Sequence, residues 1–462
     1  MFGVNLGPIC VSSVGCADDS VLLTSNFHLL SHLLHLTMLY CHKYKVVMTP
    51  EKTKLQVFAP PALDSYVEYF KSTNYLSISG VPLSFTNCTE HVGVIRSPVS
   101  GNIPHILQRI SSHKRALSAV LSAGLSRSHR GNPAASLRTE KLYGLPVLLS
   151  GLGSLYLLSS EMHTLSKHYK QTLEGLQKLY QKTPEPVVFF LGGSLPLTAQ
   201  IHIRQLTLFA MVCRLPENIL HRLAKYILTS LPDSTKSWFL QIKKICFTYN
   251  LPHPLLLLAD PPTKASFSHR VRLNVLDFWQ TKLRQETAEL PSLRFFKPQY
   301  MSLSRPHPLW TTCGSNRYEI NKACCQAKYL SGRFRSEKLL SHFGHGNLPF
   351  CQLHPEGEEV VGDLAHHLVH CSALADRRVC LFDYWNNISS SSSVCNQILK
   401  SVQLSANEDD FLQFILDCSA LPIVIAAAQE HGTDIYKILF KASRTYCYSL
   451  YRARLKLLNQ WT

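Results

Sequence analysis

The chain has 462 residues, which is enough for two to four domains of ~100–200 residues each. Its hydrophobic fraction of 45% is ordinary and its charged fraction of 17% is low, so a broadly disordered chain is excluded. The formal net charge of +17 indicates a polyanionic partner, which is either nucleic acid or an anionic membrane.

The cysteines and one uncharged stretch indicate the cellular compartment in which the chain folds. The fifteen cysteines are scattered from Cys10 to Cys447 and lack the close spacings of a small secreted domain. The N-terminal residues also lack the basic region of a signal peptide. The uncharged stretch 142–160 is interrupted by glycine and proline, so it predicts buried helices and no membrane partner. We therefore expect an intracellular protein, cytoplasmic or nuclear.

Residues 1–100 have the pattern of a mixed α/β segment. An apolar run from Ile9 to Cys16, an Ala-Asp-Asp turn and a second run, 21–23, predict a hairpin with two acids at its tip. Helical spacing of leucines predicts a helix from Phe27 to Tyr40, capped by Ser25 or Asn26. Shorter extended pieces are predicted at 55–58 and 91–95.

From residue 104 onward the pattern becomes helical. A helix is predicted over 217–231, an irregular proline-punctuated linker over 250–320, and one long helix over 434–461 in which apolar and basic residues alternate. The stretch 91–139 contains no acidic residue but seven basic ones: Arg96, Arg109, Lys114, Arg115, Arg127, Arg130 and Arg138. Such a basic face predicts contacts to nucleic-acid phosphates, and the alternative is a solvated face without a specific partner.

The paired acids Asp18 and Asp19 have the chemistry that nucleotidyl transfer needs. Two Mg²⁺ ions ~4 Å apart neutralise the attacking and leaving oxygens, and Mg²⁺ prefers carboxylate ligands. An Asp-Asp pair alone is more often a solvated turn. Here, however, CADDSVLLT (16–24) resembles motif C of the reverse transcriptase palm, and KYKVVMTPEKTKLQVF (43–58) is similar to motif D. The segment TEHVGV (89–94) resembles the primer-grip motif E.

These motifs stand in the order found in reverse transcriptases of non-LTR (LINE-type) retrotransposons. The resemblance implies that Asp18 binds the catalytic Mg²⁺ ions with support from Asp19, and that Val92 and Gly93 lie near the primer terminus. It also makes Lys52 the proton donor to the leaving pyrophosphate, although an ordinary surface lysine is the alternative. The family's motif A aspartate, fingers and endonuclease precede motif C, so we expect the chain to be inactive alone.

A Cys/His patch has the spacing of a zinc site, Cys351-x2-His354-x11-His366-x4-Cys371. Its second half resembles the end of the zinc knuckle in the same family, whereas relatives carry two cysteines in the first half. His367 and His370 are rival ligands. The intervening acids, among them Glu358 and Asp363, argue against a tight phosphate-binding surface there.

The expected fold is an α+β N-terminal palm remnant, followed by a mostly α-helical thumb and C-terminal region with a small zinc-knuckle-like segment. The expected divisions are a partial palm (1–100), a thumb (104–245), a connection (250–345), a knuckle (346–380) and C-terminal helices (395–462). The predicted partners are an RNA template and a DNA primer or target, with Arg109, Lys114, Arg115, Arg127 and Arg130 as phosphate contacts. Two alternatives stay open: a non-catalytic nucleic-acid-binding protein from a domesticated or decayed retroelement, or a reading frame without a selected role.

Overall fold

We describe the chain from a computed structural model over residues 3–59, 64–73, 76–122, 131–342, 348–354, 358–390, 392–405 and 407–458. Helices make up 63% of it and strands are few and short, so the fold is α-rich. The strands are β1 (Val4–Leu6), β2 (Ile9–Val11), β3 (Ser13–Cys16), β4 (Asp19–Leu22), β5 (Lys54–Leu55), β6 (Ser77–Ile78), β7 (Val81–Pro82), β8 (Ser84–Phe85), β9 (Thr89–His91) and β10 (Val94–Arg96).

The first ten helices are α1 (Phe27–Tyr44), α2 (Asp64–Ser72), α3 (Ile103–Val120), α4 (Pro133–Thr139), α5 (Leu145–Leu148), α6 (Ser159–Leu176), α7 (Glu185–Gly192), α8 (Leu197–Cys213), α9 (Ile219–Ser230) and α10 (Trp238–Thr248). The others are α11 (Pro254–Ala259), α12 (Lys264–Ala288), α13 (Pro308–Thr311), α14 (Arg317–Leu330), α15 (Glu337–His342), α16 (Ala375–Ser389), α17 (Ser393–Gln403), α18 (Glu408–Asp417), α19 (Pro422–His431) and α20 (Ile435–Leu457). The π-helical turns Glu140–Gly144 and His366–His370 interrupt the regular pattern.

The chain divides into two compact units. The first comprises Met1–His113, Pro146–Leu165 and Thr198–Val275. The second comprises Lys114–Leu145, Ser166–Leu197 and Leu276–Thr462. The two units interleave along the chain.

In the first unit the strands form small two-stranded ladders. β1 pairs with β2, β3 with β4, β6 with β7 and β9 with β10, all antiparallel, and β5 pairs with β8 in parallel. Within the described part of the chain these ladders do not join into one larger sheet. Three of them, β3–β4, β5–β8 and β6–β7, contribute side chains to or against a small apolar cluster of Leu34, Leu55, Leu76, Ile78 and Leu83, which we call the N-terminal cluster.

Helix α1 confirms the helix predicted from Phe27 and extends it to Tyr44. The side chain of Asn26 caps it by accepting a hydrogen bond from the backbone N–H of His28 at 2.8 Å. The helix ends where Lys45 adopts a left-handed conformation, with φ of 56°. Helix α1 therefore follows from local sequence signals. The predicted hairpin is shorter than expected, because only Ser13–Cys16 pairs with Asp19–Leu22, whereas Ile9–Val11 pairs with Val4–Leu6.

The irregular linker predicted over 250–320 is wrong. This stretch contains α11, α12 and α13, and α12 alone has 25 residues. The reason is the position of the prolines. Pro254 and Pro308 begin α11 and α13, where the missing N–H costs no hydrogen bond, and no proline lies between Pro262 and Pro291.

Helix α20 organises the second unit and confirms the long C-terminal helix, which begins one residue after the predicted start at 434. Residues 459–461 of the predicted helix lie outside the described residues. It packs against α14, α16 and α18, and Tyr446 and Trp385 are fully buried in this contact. Two of its basic residues, Arg444 and Arg454, are buried. Arg444 Nε lies 2.9 Å from a carboxylate oxygen of Glu319.

The stretch 142–160 is not one continuous helix: it passes from a π-helical turn through α5 to a 3₁₀ turn. Elsewhere in the described ranges, the helical run Glu408–His431 is long and apolar enough to cross a membrane, with a mean hydropathy of 1.9. A bent pair, α7 with α8, passes the same test only if it is counted as one span. The core helices of soluble proteins pass it too, and 56% of the first run is buried.

Two glycines in the second unit give a matched test of its packing. Gly193 caps α7 with φ of 57°, and a Cβ there would collide with the backbone carbonyl of Arg305. Gly432 has φ of 86°, but a Cβ there would meet nothing within 4 Å. We expect Gly193→Ala to lower the free energy of unfolding by about 2–4 kcal/mol and Gly432→Ala by about 1 kcal/mol. Urea unfolding measures both, and equal losses would contradict the close approach at Gly193.

Candidate metal centre

The first half of the Cys/His patch is a turn that follows a short β-bridge. Phe350 and Val361 form the bridge, and the N–H of Cys351 donates to the carbonyl of Val360 at 2.7 Å. The N–H of His354 then approaches the carbonyl of Cys351 at 3.4 Å. The two-residue spacing between Cys351 and His354 thus places both side chains on one tight turn.

The second half is the π-helical turn His366–His370. The carboxylate of Asp363 begins it by accepting a hydrogen bond from the N–H of His366 at 3.0 Å. The N–H of Cys371 donates to the carbonyl of His366 at 2.7 Å, which closes the i→i+5 bond of a π-turn. A ligand pair with four residues between its members fits this turn, because the wider turn returns Cys371 to His366.

The four predicted ligands come together. One ligand atom each of Cys351, His354, His366 and Cys371 lies within 4.8 Å of all the others. The Nε2 atoms of His354 and His366 are 3.2 Å apart, and Cys371 Sγ lies 3.9 Å from His354 Nε2. In a tetrahedral zinc site two imidazole nitrogens lie ~3.3 Å apart, and a nitrogen and a thiolate sulfur ~3.6 Å apart. The group therefore fits a metal such as zinc.

The two thiols of this group shift each other's pKa in opposite directions. The hydrogen bond from the Cys351 thiol lowers the pKa of Cys371 to about 7, and the same contact raises the pKa of Cys351. Cys371 is fully buried and Cys351 nearly so. Since Zn²⁺ binds thiolates, metal binding would release the proton that the Cys351 thiol retains.

Glu358 orients one of the ligands. Its carboxylate accepts a hydrogen bond from Nδ1 of His354 at 3.0 Å, which leaves Nε2 with the lone pair that a metal needs. In the sequence, Glu358 indicates only an acid that disfavours phosphate binding. Its place four residues after a ligand histidine is the signal for this orienting role.

The two rival histidines lie outside the group. His367 Nε2 donates to the carboxylate of Glu337 at 2.7 Å, and both side chains are buried. His370 contacts Glu408 at 3.0 Å on the surface. The structure therefore brings together Cys351, His354, His366 and Cys371 and leaves His367 and His370 to other partners.

A buried ion pair fixes the metal segment to the rest of the second unit. The guanidinium of Arg454, on α20, donates to the second carboxylate oxygen of Glu337, at the start of α15. Burial opposes ionisation of Glu337, but the hydrogen bond from His367 and the charge of Arg454 outweigh it and lower the pKa of Glu337 to about 2. The hydroxyl of Tyr446 also donates to the carbonyl of Leu368, within the π-turn, at 2.8 Å.

The predicted magnesium ligands lie on the β3–β4 hairpin of the first unit. Cys16 pairs with Asp19, so Ala17 and Asp18 form the turn between the strands. Asp18 and Asp19 are exposed, and among the described residues they belong to no group of three or more metal ligands. Lys52 is exposed too, in the turn that precedes β5.

The three motif-like segments share contacts in the first unit. Leu22 of β4 packs on the N-terminal cluster, to which Leu55 of β5 belongs. The Gln56 side chain accepts a hydrogen bond from the hydroxyl of Thr89 at 2.7 Å and donates to the carbonyl of Arg96 at 3.0 Å. It thereby holds the open end of the β9–β10 hairpin.

Val92 and Gly93 form the two-residue turn of that hairpin. Their φ angles are 50° and 73°, and both residues are exposed. Positive φ is unusual for a β-branched residue such as valine.

The predicted phosphate contacts Arg109, Lys114 and Arg115 lie on α3. Lys114 and Arg115 are exposed, whereas Arg109 is half-buried and donates to Gln108. Arg127 and Arg130 lie outside the described residues.

No protein-family model, no curated protein and no solved structure matches this chain.

The ligand assignment predicts the metal content of single variants. The purified chain should hold about one zinc ion, and Cys371→Ser should lose it because three ligands bind far more weakly than four. His370→Gln, four residues after a ligand in the same segment, should keep the full content. Native mass spectrometry measures the stoichiometry. Zinc retained by Cys371→Ser, or lost from His370→Gln, would show that the ligand set is different.

Proposed function

We propose that this chain is the C-terminal part of a reverse transcriptase of a non-LTR retrotransposon and that it holds nucleic acid for RNA-directed DNA synthesis. The observation that carries the proposal is the order and contact of the three motif-like segments. The CADD hairpin contacts the N-terminal cluster through Leu22, and strand β5 contributes Leu55 to the same cluster. Gln56, which follows that strand, bonds to both strands of the third segment.

The chemistry assigned to the hairpin follows from its geometry. A two-residue turn leaves Asp18 at the tip with its carboxylate in solvent, where Mg²⁺ and nucleotide phosphates have access. Asp19 begins β4 and supports the same ion. Two carboxylates make half of a two-metal site, so the other half comes from motif A of the complete polymerase. Lys52 is the proposed proton donor to pyrophosphate.

The metal centre favours a second candidate, a nucleic-acid-binding protein without catalysis. Its four-ligand set is complete within the second unit, whereas the two acids of the hairpin are not. A structural zinc ion stabilises the fold that holds its ligands. In this alternative the zinc-stabilised unit and the basic face of α3 bind RNA or DNA, and Asp18 has no role.

Site-directed cleavage separates the two candidates. Fe²⁺ that replaces Mg²⁺ at the hairpin generates hydroxyl radicals with ascorbate and peroxide, and these cut the nearby backbone. We expect cuts close to residue 18 that excess Mg²⁺ suppresses and that Asp18→Asn abolishes, because the tip carboxylate is the principal ligand. Asp434→Asn, which removes another highly exposed carboxylate, should leave the cuts unchanged. Cuts that persist in Asp18→Asn would favour the non-catalytic candidate.

A salt titration tests the exposed basic residues Lys114 and Arg115 of α3, which both candidates use. Lys114→Glu combined with Arg115→Glu should weaken filter binding of an RNA–DNA hybrid and reduce the slope of log K against log salt by about 2. The reason is that each lost phosphate contact releases fewer counterions. Lys400→Glu, an exposed lysine on α17, is the matched control. An unchanged slope in the double variant would contradict the assignment of α3.

A further inference from the structure

A concave basic groove lies in the second unit, outside the residues discussed so far. It is a cavity of about 730 Å³ lined by Tyr318 of α14, Arg377 of α16, and Tyr448, Arg452 and Lys456 of α20. Arg377, Arg452 and Lys456 are exposed.

The electrostatics of the groove are one-sided. Three cations and no carboxylate line it among the described residues. The nearest acid in sequence to Tyr318 is Glu319, and that carboxylate is engaged by Lys322 at 2.7 Å and by Arg444 at 2.9 Å. Glu319 is therefore already paired with other cations, and the three cations of the groove favour an anionic ligand.

The aromatic residues add a second kind of contact. The rings of Tyr318 and Tyr448 meet edge to face, with centroids 5.4 Å apart. Arg452 lies 5.9 Å from the ring centroid of Tyr448, and Lys322 lies 4.5 Å from that of Tyr318. Tyr448 is half-buried and Tyr318 is 48% exposed, so the pair is anchored while ring surface stays accessible. Anchored rings beside cations are suited to a planar, anionic partner.

We propose that this groove binds single-stranded nucleic acid, with bases stacked on the tyrosine pair and backbone phosphates paired with Arg377, Arg452 and Lys456. Unpaired bases expose the faces that stack on aromatic rings, whereas bases in a duplex are stacked on each other. A duplex would use the cations and leave the tyrosines without a role. An anionic membrane is disfavoured because the tyrosines and cations line a concavity and do not form a protruding apolar edge.

The groove adjoins the metal centre along the chain. A neighbouring depression shares Arg377 and Lys456 with it and is also lined by Ala373 and Leu374, the second and third residues after Cys371. Arg378 donates to the carbonyl of Cys371 at 2.8 Å. Asp376 lines this depression, so the phosphate path is assigned to the first cavity alone. The metal centre thus fixes the beginning of the helix that carries Arg377.

Fluorescence anisotropy of a short oligouridylate with the full chain tests the proposal. Tyr448→Leu should weaken binding by about tenfold, whereas Tyr448→Phe, which keeps the ring, should bind like the wild type. Combined Arg377→Ala, Arg452→Ala and Lys456→Ala should reduce the salt slope by about 2. Lys400→Ala is the control. Equal binding by Tyr448→Leu and Tyr448→Phe, both with wild-type circular dichroism, would overturn the stacking assignment.

A measurement on the unsubstituted protein covers the case in which a variant misfolds. Photo-cross-linking of an oligonucleotide that contains 4-thiouridine should give peptides that include Tyr448 or Tyr318. Cross-links confined to other peptides would overturn the proposal, as would binding to phosphatidylserine vesicles with none to the oligonucleotide. The inference does not depend on the polymerase assignment, because the groove lies in the second unit, whereas Asp18, Asp19 and Lys52 lie in the first.

Discussion

The second unit depends on one buried carboxylate. Glu337 is 2% exposed, and burial of a charge on this scale destabilises a fold unless partners compensate. His367 and Arg454 provide that compensation on its two oxygens. The three residues come from α15, the π-turn of the metal segment and the last turns of α20, so one buried group connects three pieces of chain. Removal of His367 or Arg454 would leave one oxygen of the buried Glu337 carboxylate without a hydrogen-bond partner. The three residues therefore stabilise the fold only together.

The metal segment has few other means of holding its shape. The described residues of 348–371 contain a single β-bridge and a π-turn, and one backbone hydrogen bond, from the N–H of Lys338 to the carbonyl of Gly362 at 3.2 Å, joins them to α15. A bound ion would connect the two halves through four ligands, while Glu337 and Tyr446 attach the second half to the helices around it. The ligand group and the ion pair therefore act on the same short segment from opposite sides of the π-turn. His366 faces the ligands, and its neighbour His367 faces Glu337.

Local signals in the sequence predict the local structure well. The leucine spacing and Asn26 predict α1, and the long apolar and basic pattern predicts α20. The Cys/His spacing predicts the four grouped ligands. The sequence did not reveal Glu337 with Arg454, because 117 residues separate them and each resembles an ordinary surface charge. The prolines in 250–320 predict irregular chain, but proline also stands at the first position of a helix, as Pro254 and Pro308 do. The role of Glu358 was missed because its charge was weighed without its spacing from His354.

The interleaving of the two units also constrains how the chain is made. The first unit takes its last segment from residues up to Val275, so well over half of the polypeptide must leave the ribosome before that unit can close. The second unit has to wait for α20, whose last residue is Leu457. During synthesis, both units therefore expose unfinished apolar surfaces for most of the elongation time, and contacts distant in sequence form late. A chain released before residue 275 would leave both units unfinished, and one released later would leave the second unit unfinished, with its apolar surface exposed to aggregation.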